Sequence, residues 1–362
     1  MRADMTPRRV IEDHRPPASS RARRLVGGEL ERCIYCNGKG ITREGKRYKK
    51  LETVQLWYCL ACDRVFTPQR AKGKTYPLKV VTESLMYYYR GETRERTSQR
   101  IQERFGVTVP TRTLSTWLSQ YRDLTPYVRL RDKYTSTYRA NRIIRATRLH
   151  HQQVYEYRIH LAKLDWALSL PKQQHLAPLR NFLLQMADSC PHQLFQTDAR
   201  ASQGKTAYDL DAVEIKSYRN LACRAADLVL QTVTINKFRH DEIQRFMLAT
   251  DSVTVAVEVP IYLSPEELAT IKGRAGFSIP LEAQSTLTGH IDFLQIRNGA
   301  IHIVDYKPGA RLERPIPQLM TYALALSHRT GLRLFDFVCS WFDQEHYYEF
   351  YPLHVVYKRR RS

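Results

Sequence analysis

Residues 288–310 read TGHIDFLQIRNGAIHIVDYKPGA, and the reading of this stretch decides the fold. Ile, Val, Leu, Phe and Tyr dominate it, the composition of a buried β-hairpin. Asn298-Gly299 between two such runs is a strong short-range signal for a two-residue type I′ turn. If Arg297 then faces Ala300, Asp292 stands opposite Asp305 and His290 opposite Lys307. All four fall on one face, because strand side chains alternate. Facing Cβ atoms lie about 5 Å apart, and like charges at that distance are destabilising. Two opposed carboxylates in an apolar hairpin therefore call for a positive charge between them. A divalent cation with oxygen ligands, with Lys307 alongside, fits best. The plainer alternative is a Lys307–Asp salt bridge at a solvated edge, and a different turn would shift the pairing.

Outward from the hairpin, the last hundred residues run strand (VTVAVEVPIYL), strand, strand, helix (IPQLMTYALALSHR), strand (RLFDFVCSWF) and strand (EFYPLHVVYK). At least one more helix precedes this core. EIKSYRNLACRAADLVLQTV, from Glu214, has the pattern of a helix leading into it.

Charge is uneven along the 362 residues. Residues 1–150 hold 33 basic and 14 acidic side chains, whereas residues 151–362 hold 24 and 22. A polyanion-binding N-terminal half joined to an ordinary domain is the expected organisation. No apolar run approaches membrane-spanning length and no signal-peptide pattern opens the chain, so a cytoplasmic, DNA-associated protein without a membrane is expected. Residues 1–29 are polar, Pro-rich and basic, and read as a disordered arm. The C-terminal KRRR reads as a flexible basic tail.

Of seven cysteines, four form two C-x2-C pairs, Cys33/Cys36 and Cys59/Cys62, separated by 22 residues that read as a hairpin. Two such knuckles converge four thiolates on one structural Zn²⁺, whose binding supplies the folding energy a small polar ribbon lacks. A redox CxxC would need a thioredoxin-like βαβ setting that is absent from the pattern. Cys190, Cys223 and Cys339 stand singly among apolar residues and read as core.

Residues 76–124 carry three helical patterns. The second spans about 94–105, with Ile101 and Phe105 at i, i+4 and Gly106 as a stop. Thr111 is placed to cap the third, about 112–121, whose apolar stripe is Leu114, Trp117 and Leu118. Its other face offers Arg112, Thr113, Ser115, Ser119 and Gln120, short polar groups suited to base edges in a major groove. A three-helix packing module with a solvated face is the plainer alternative. CIYC…WYCLACDRVFT…YYYRGETRERTSQRIQERFGVTVPTRTLSTWL resembles the N-terminal zinc ribbon and helix-turn-helix of insertion-sequence transposases, which implies DNA binding.

Residues 125–205 read as a helical connector, basic at its start. His150, His151 and His160 have no carboxylate at helical spacing to complete a metal site, so they read as surface or core residues.

The last domain carries a second resemblance. VEVPIYL…LTGHIDFLQIRNGAIHIVDYKPGA…PQLMTYALAL is similar to the RecB-like branch of the PD-(D/E)xK nuclease superfamily. The resemblance implies a restriction-endonuclease-like α/β core over residues 206–358, a mixed sheet flanked by helices. The whole chain is then a multi-domain α+β protein: β zinc ribbon (30–72), all-α helix-turn-helix, helical connector and nuclease-like domain. It also implies roles by position. Glu258 matches the strand acid, Asp292 the second-motif aspartate, Asp305 and Lys307 the D-x-K pair, and Gln318 and Tyr322 the helix motif. Asp292 and Asp305, with the Tyr306 carbonyl and Glu258, would hold Mg²⁺ or Mn²⁺ for hydrolysis of DNA, and Lys307 would orient the attacking water. Many members carry a metal-binding histidine on the preceding helix. SYRNLACRAADLVL has none and His240 falls later, so either Glu214 or Glu258 compensates or metal binding is impaired. The resulting expectation is a DNA-binding, metal-dependent deoxyribonuclease of endo- or exonuclease type. A mobile element, or DNA recombination, repair or defence, would suit it. A helicase, a second nuclease subunit or a second copy of the chain would suit it as partner. The alternative is a DNA-binding regulator whose nuclease-like domain is an inactive scaffold.

Overall fold

The computed structural model describes residues 24–26, 30–69, 75–125, 128–196, 200–201, 205–206, 208–233, 235–275 and 278–357. Most of the expected basic arm and the KRRR tail lie outside these residues.

The N-terminal segment is a small sheet in which β1 (Ile41–Tyr48), β2 (Glu52–Cys59) and β3 (Arg64–Phe66) run antiparallel, while a short strand at Arg24–Val26, inside the arm expected to be disordered, pairs parallel with β2. Only a small apolar cluster supports it, Cys33, Trp57, Cys59 and Phe66. Three helices follow, α1 (Leu78–Tyr89), α2 (Arg94–Phe105) and α3 (Thr111–Gln120). Helix α2 starts where the Thr93 hydroxyl accepts from the Arg96 N–H and stops at Gly106, whose φ of 67° closes the last turn. The start of α3 differs from expectation. Pro110 occupies the cap position without a side-chain hydrogen bond, and Thr111 is already the first helical residue. The fixed φ of proline preorganises the turn, so no hydroxyl cap is needed.

The main body is an eight-stranded mixed sheet. Its members in chain order are β4 (Ile144–His151), β5 (Gln153–His160), β6 (Lys216–Tyr218), β7 (Thr254–Leu263), β8 (Leu287–Arg297), β9 (Ala300–Tyr306), β10 (Phe337–Phe342) and β11 (Tyr347–Phe350). The spatial order is β4-β5-β7-β8-β9-β10-β11-β6, antiparallel throughout except for the parallel pair β9/β10. That parallel step requires a crossover, supplied by α9 (Ile316–Thr330). Helices α4 (Leu161–Ser169), α5 (Pro178–Asp188), α6 (Leu221–Leu230), α7 (Arg239–Thr250) and α8 (Pro265–Arg274) complete the layers.

The 298–299 turn sets the register as the sequence predicts. Asn298 and Gly299 both have positive φ (54° and 79°), and the ladder runs from Arg297↔Ala300 to Phe293↔Val304. The order β7, β8, β9, α9, β10, β11 likewise follows the predicted succession, with α8 added between β7 and β8.

Residues 144–160 correct the expectation of a helical connector: they form the β4/β5 hairpin and extend the sheet through Arg158↔Val257 and Ile159↔Ala256. Arg142, Arg145 and Arg148, three apart, imitate a helix face. The hairpin turn uses Gln152 at φ 59° with no glycine to announce it. Ahead of α6, residues 216–218 pair with β11 as β6, so the helix begins only at Leu221, capped by the Asn220 side chain.

The helical module packs on the main body. The Glu83 carboxylate of α1 is buried among Lys79 (3.3 Å), Arg104 of α2 (2.8 Å) and Arg245 of α7 (3.6 Å). Lys79 also pairs with Glu242 of α7. Apolar residues continue the contact: Leu78, Val81, Leu85 and Tyr89 belong to one core cluster with Ile243, Phe246 and Met247.

Candidate active site

Three neighbouring strands bring three acids to one place. β8 lies between β7 and β9, and its Asp292 sits between Glu258 of β7 and Asp305 of β9. Two backbone features shape the floor. Glu258 is a non-glycine residue at φ 53°, in the middle of a strand, a conformation that persists only where surrounding packing holds it. Gly289 gives Tyr322 of α9 room: a Cβ there would stand 2.6 Å from the tyrosine hydroxyl oxygen.

The Asp292 carboxylate accepts from the Tyr306 backbone N–H at 2.8 Å, which fixes it across the β8/β9 seam. Lys307 Nζ lies 2.8 Å from Asp305 Oδ2. Gln244 of α7 donates to Glu258 Oε1 at 2.8 Å, and Gln318 donates to the Tyr322 hydroxyl at 2.9 Å. Glu258, Asp292, Asp305, Lys307, Gln318 and Tyr322 line a cleft of about 320 Å³ that also includes His240, His290, Tyr155 and Arg200.

The cleft is short of positive charge. Burial, reinforced by Glu258, pushes Asp292 up to about 7. Burial, then Asp292, does the same to Asp305 despite Lys307, also to about 7. Glu258 is raised to about 7, again chiefly by burial. Burial works against the charge of Lys307, yet Asp305 holds its pKa above the ordinary lysine value. Three hard oxygen donors that resist ionising next to one another are a donor set suited to Mg²⁺ or Mn²⁺. Their ligand atoms are spread along the cleft, whereas those of the four N-terminal cysteines all lie within 4.8 Å of one another.

Every residue that the hairpin and helix motifs single out lines this cleft: Glu258, Asp292, Asp305, Lys307, Gln318 and Tyr322. Tyr306, named for its carbonyl, meets Asp292 through its N–H. His290 does not face Lys307. Beyond Phe293 the β8/β9 ladder ends, and His290 pairs with Pro260 of β7 while its ring stacks on Tyr155. Glu214 is exposed and outside the cleft, so it cannot compensate for a missing histidine.

A histidine nevertheless stands beside the acids of the cleft. His240, in the first turn of α7, holds Nδ1 3.8 Å from Asp292 Oδ2 and sets its ring edge-on to Tyr306. Burial lowers its pKa, leaving it the neutral imidazole a metal requires. The helix immediately before β7 is α7, one later than SYRNLACRAADLVL. The signal was the i, i+4 pair His240/Gln244, which shares one helix face and reaches Asp292 and Glu258 respectively.

At the other end of the chain, Cys33 and Cys62 Sγ are 3.7 Å apart, and Cys36 and Cys59 Sγ 3.5 Å. Tetrahedral Zn–S bonds of about 2.3 Å would set sulfurs about 3.8 Å apart, so the arrangement of the four cysteines is compatible with zinc. Burial raises the Cys33 thiol, but the N–H groups of Cys36 and Tyr35 outweigh it and bring it down to about 7. A thiolate is thereby within reach at neutral pH.

On α3, Leu114 and Trp117 are buried, while Arg112, Ser119 and Gln120 are exposed and Thr113 and Ser115 half-exposed. Ser115 already accepts from Arg94 of α2 at 2.9 Å, so it braces the helix pair.

Residues 177–338 match the family model of the PD-(D/E)XK nuclease superfamily. The matched span runs from the start of α5 into β10 and contains every acid of the cleft, His240, Lys307 and the Gln318/Tyr322 pair. No curated protein and no solved structure matches the chain.

Proposed function

We propose that the protein is a DNA-binding nuclease that hydrolyses phosphodiester bonds with a divalent metal held in the β7/β8/β9 cleft. The observation that carries this is the convergence of Glu258, Asp292, Asp305 and Lys307 from three neighbouring strands, with His240 above them.

Asp292, Asp305 and His240 are the side chains placed to hold Mg²⁺ or Mn²⁺, with Glu258 and the Tyr306 carbonyl as further donors. Such a metal supplies polarisation of the phosphodiester and a more acidic bound water. The chain's own residues do the rest. Lys307, half-buried and paired with Asp305, is placed to stabilise charge building on phosphate. Tyr306 N–H holds Asp292 in one orientation, and Gln244 does so for Glu258. Gln318 and Tyr322 line the wall and would steady the substrate backbone.

DNA as substrate rests on the first 150 residues. Their excess of positive charge, the zinc ribbon held by Cys33, Cys36, Cys59 and Cys62, and the exposed Arg112–Gln120 face of α3 together make a surface for a polyanion. RNA is the weaker reading, since an RNA duplex hides the major groove a helix would enter. The inactive-scaffold alternative drew on an absent helix histidine, and His240 beside Asp292 removes that support. A role in a mobile element or in DNA recombination, repair or defence fits a nuclease with its own DNA-reading module. A helicase, a second nuclease subunit or a second copy of the chain would fit as partner.

The test is a substrate panel of single- and double-stranded DNA and RNA with Mg²⁺, Mn²⁺ or EDTA, with binding measured on the same molecules. Metal-dependent cutting of DNA, together with binding that weakens steeply with salt and on Arg112→Ala, is the expected result. Tight DNA binding without cutting in either metal would favour the scaffold, and cutting confined to RNA would reassign the substrate.

A further inference from the structure

Beside the cleft, outside the proposed catalytic set, three histidines and a cysteine from three chain segments converge. His151 ends β4, Cys190 and His192 follow α5, and His290 lies in β8, two residues before Asp292. His151 Nε2 is 2.9 Å from His192 Nδ1 and 3.8 Å from Cys190 Sγ, and its Nδ1 is 2.9 Å from His290 Nε2. We propose that His151, Cys190 and His192 form a second transition-metal site, taking Zn²⁺ through two imidazoles and a thiolate, with His290 orienting His151.

The geometry favours a metal over a bare hydrogen-bond relay. A relay needs one proton between two nitrogens. Here a sulfur closes on the same Nε2, so three lone-pair donors share one point, all within 4.8 Å of one another. Tetrahedral zinc with bonds of about 2.1 Å to nitrogen and 2.3 Å to sulfur needs N···N of about 3.4 Å and N···S of about 3.6 Å, within about half an ångström of what is seen.

The rings are already fixed. His151 stacks on Phe195 at 4.1 Å, and His290 stacks on Tyr155 at 3.8 Å. With His151 binding through Nε2, its Nδ1–H donates to His290, the outer hydrogen bond that sets tautomer and aim in metal-bound histidines. Cys190 would release its proton to the solvent when the metal binds. His192 is exposed, giving the ion an entry path and leaving a fourth position for water.

The consequence is mechanical. The metal would clip the β4/β5 hairpin, all of which precedes the matched nuclease span, to the segment after α5. Through His290 it would also brace the cleft wall that leads into Asp292.

The test is the zinc content of the full-length protein, with Co²⁺ as a spectroscopic probe. Wild type should hold two zinc ions per chain, and Cys190→Ser or His192→Gln one. Co²⁺ added to the Cys36→Ser/Cys62→Ser protein should give a thiolate charge-transfer band that disappears when Cys190→Ser is added. His192 is exposed, so His192→Gln decides the matter if the cysteine variant misfolds. One zinc per chain in wild type, unchanged in His192→Gln, with no Co²⁺ band in the Cys36→Ser/Cys62→Ser protein, would overturn the proposal.

Discussion

Asp292 concentrates the conflict in the cleft: a buried carboxylate between two others, held by a single backbone N–H. Its folded pKa of about 7 stands above the ordinary aspartate value near 3.8, as those of Asp305 and Glu258 stand above theirs. The folded protein therefore binds protons more tightly than the unfolded chain. Metal-free stability falls as pH rises from about 4 through about 7, the window those shifts define. A divalent metal that binds only the folded state offsets that loss. Melting curves should show Mn²⁺ raising Tm strongly at pH 8 and little at pH 5.5. Asp292→Asn, which removes one of the crowded charges, should raise the metal-free Tm at pH 8 and abolish most of the Mn²⁺ response. A Tm insensitive to both would remove the physical argument for a cation site. Gly289 is the second informative residue. Gly289→Ala drives a methyl into Tyr322, and overpacking of this kind costs about 1–3 kcal/mol. Denaturant unfolding should register that loss, and cleavage should fall with it because Tyr322 and Gln318 are displaced together.

At the scale of elements, the salt-bridged contact between α1 and α7 is the most exposed to test. Glu83 is buried with three cations around it, and neutralising it leaves them facing one another. Glu83→Gln should destabilise the protein by about 2 kcal/mol, less than a fully dry ion pair because Arg104 and Lys79 still reach water. Limited proteolysis should then cut between the helical module and the main body, and an unchanged digestion pattern would count against the contact. This contact was not legible in the sequence, since nothing in ESLMYYY announces a partner 160 residues away. The core hairpin was legible. Asn298-Gly299 admits few turns, the turn sets the register, and the register puts Asp292 by Asp305. The paired rungs end at Phe293↔Val304, so Asp292 meets β9 just past the ladder through the Tyr306 N–H, and His290 goes with β7 alone. The β4/β5 hairpin was not legible because arginines three apart and a glycine-free turn disguised alternation as helical period. His240 falls too late for the α6 segment that the sequence points to, and only the fold shows that α7 carries it to Asp292.

Across the whole molecule, charge and chemistry are separated along the chain. The basic first 150 residues hold the cysteine ribbon and the polar α3 face, and the nearly neutral remainder holds the acidic cleft. Both pack on α7, which presents Arg245 and Glu242 to the helical module and His240 and Gln244 to the cleft. Under the proposed function, this shared helix would fix the position of bound DNA relative to the cleft. No helix among the described residues is long and apolar enough to cross a membrane. The most direct measurement is nicking of supercoiled DNA in Mg²⁺ or Mn²⁺ by wild type, Asp305→Ala and Lys307→Ala, with DNA affinity measured in parallel. Equal binding by all three, with cutting by wild type and a loss of about 10²-fold or more in each variant, is the result expected for residues acting on the transition state. Cutting by both variants at the wild-type rate would place the activity elsewhere and contradict the assignment.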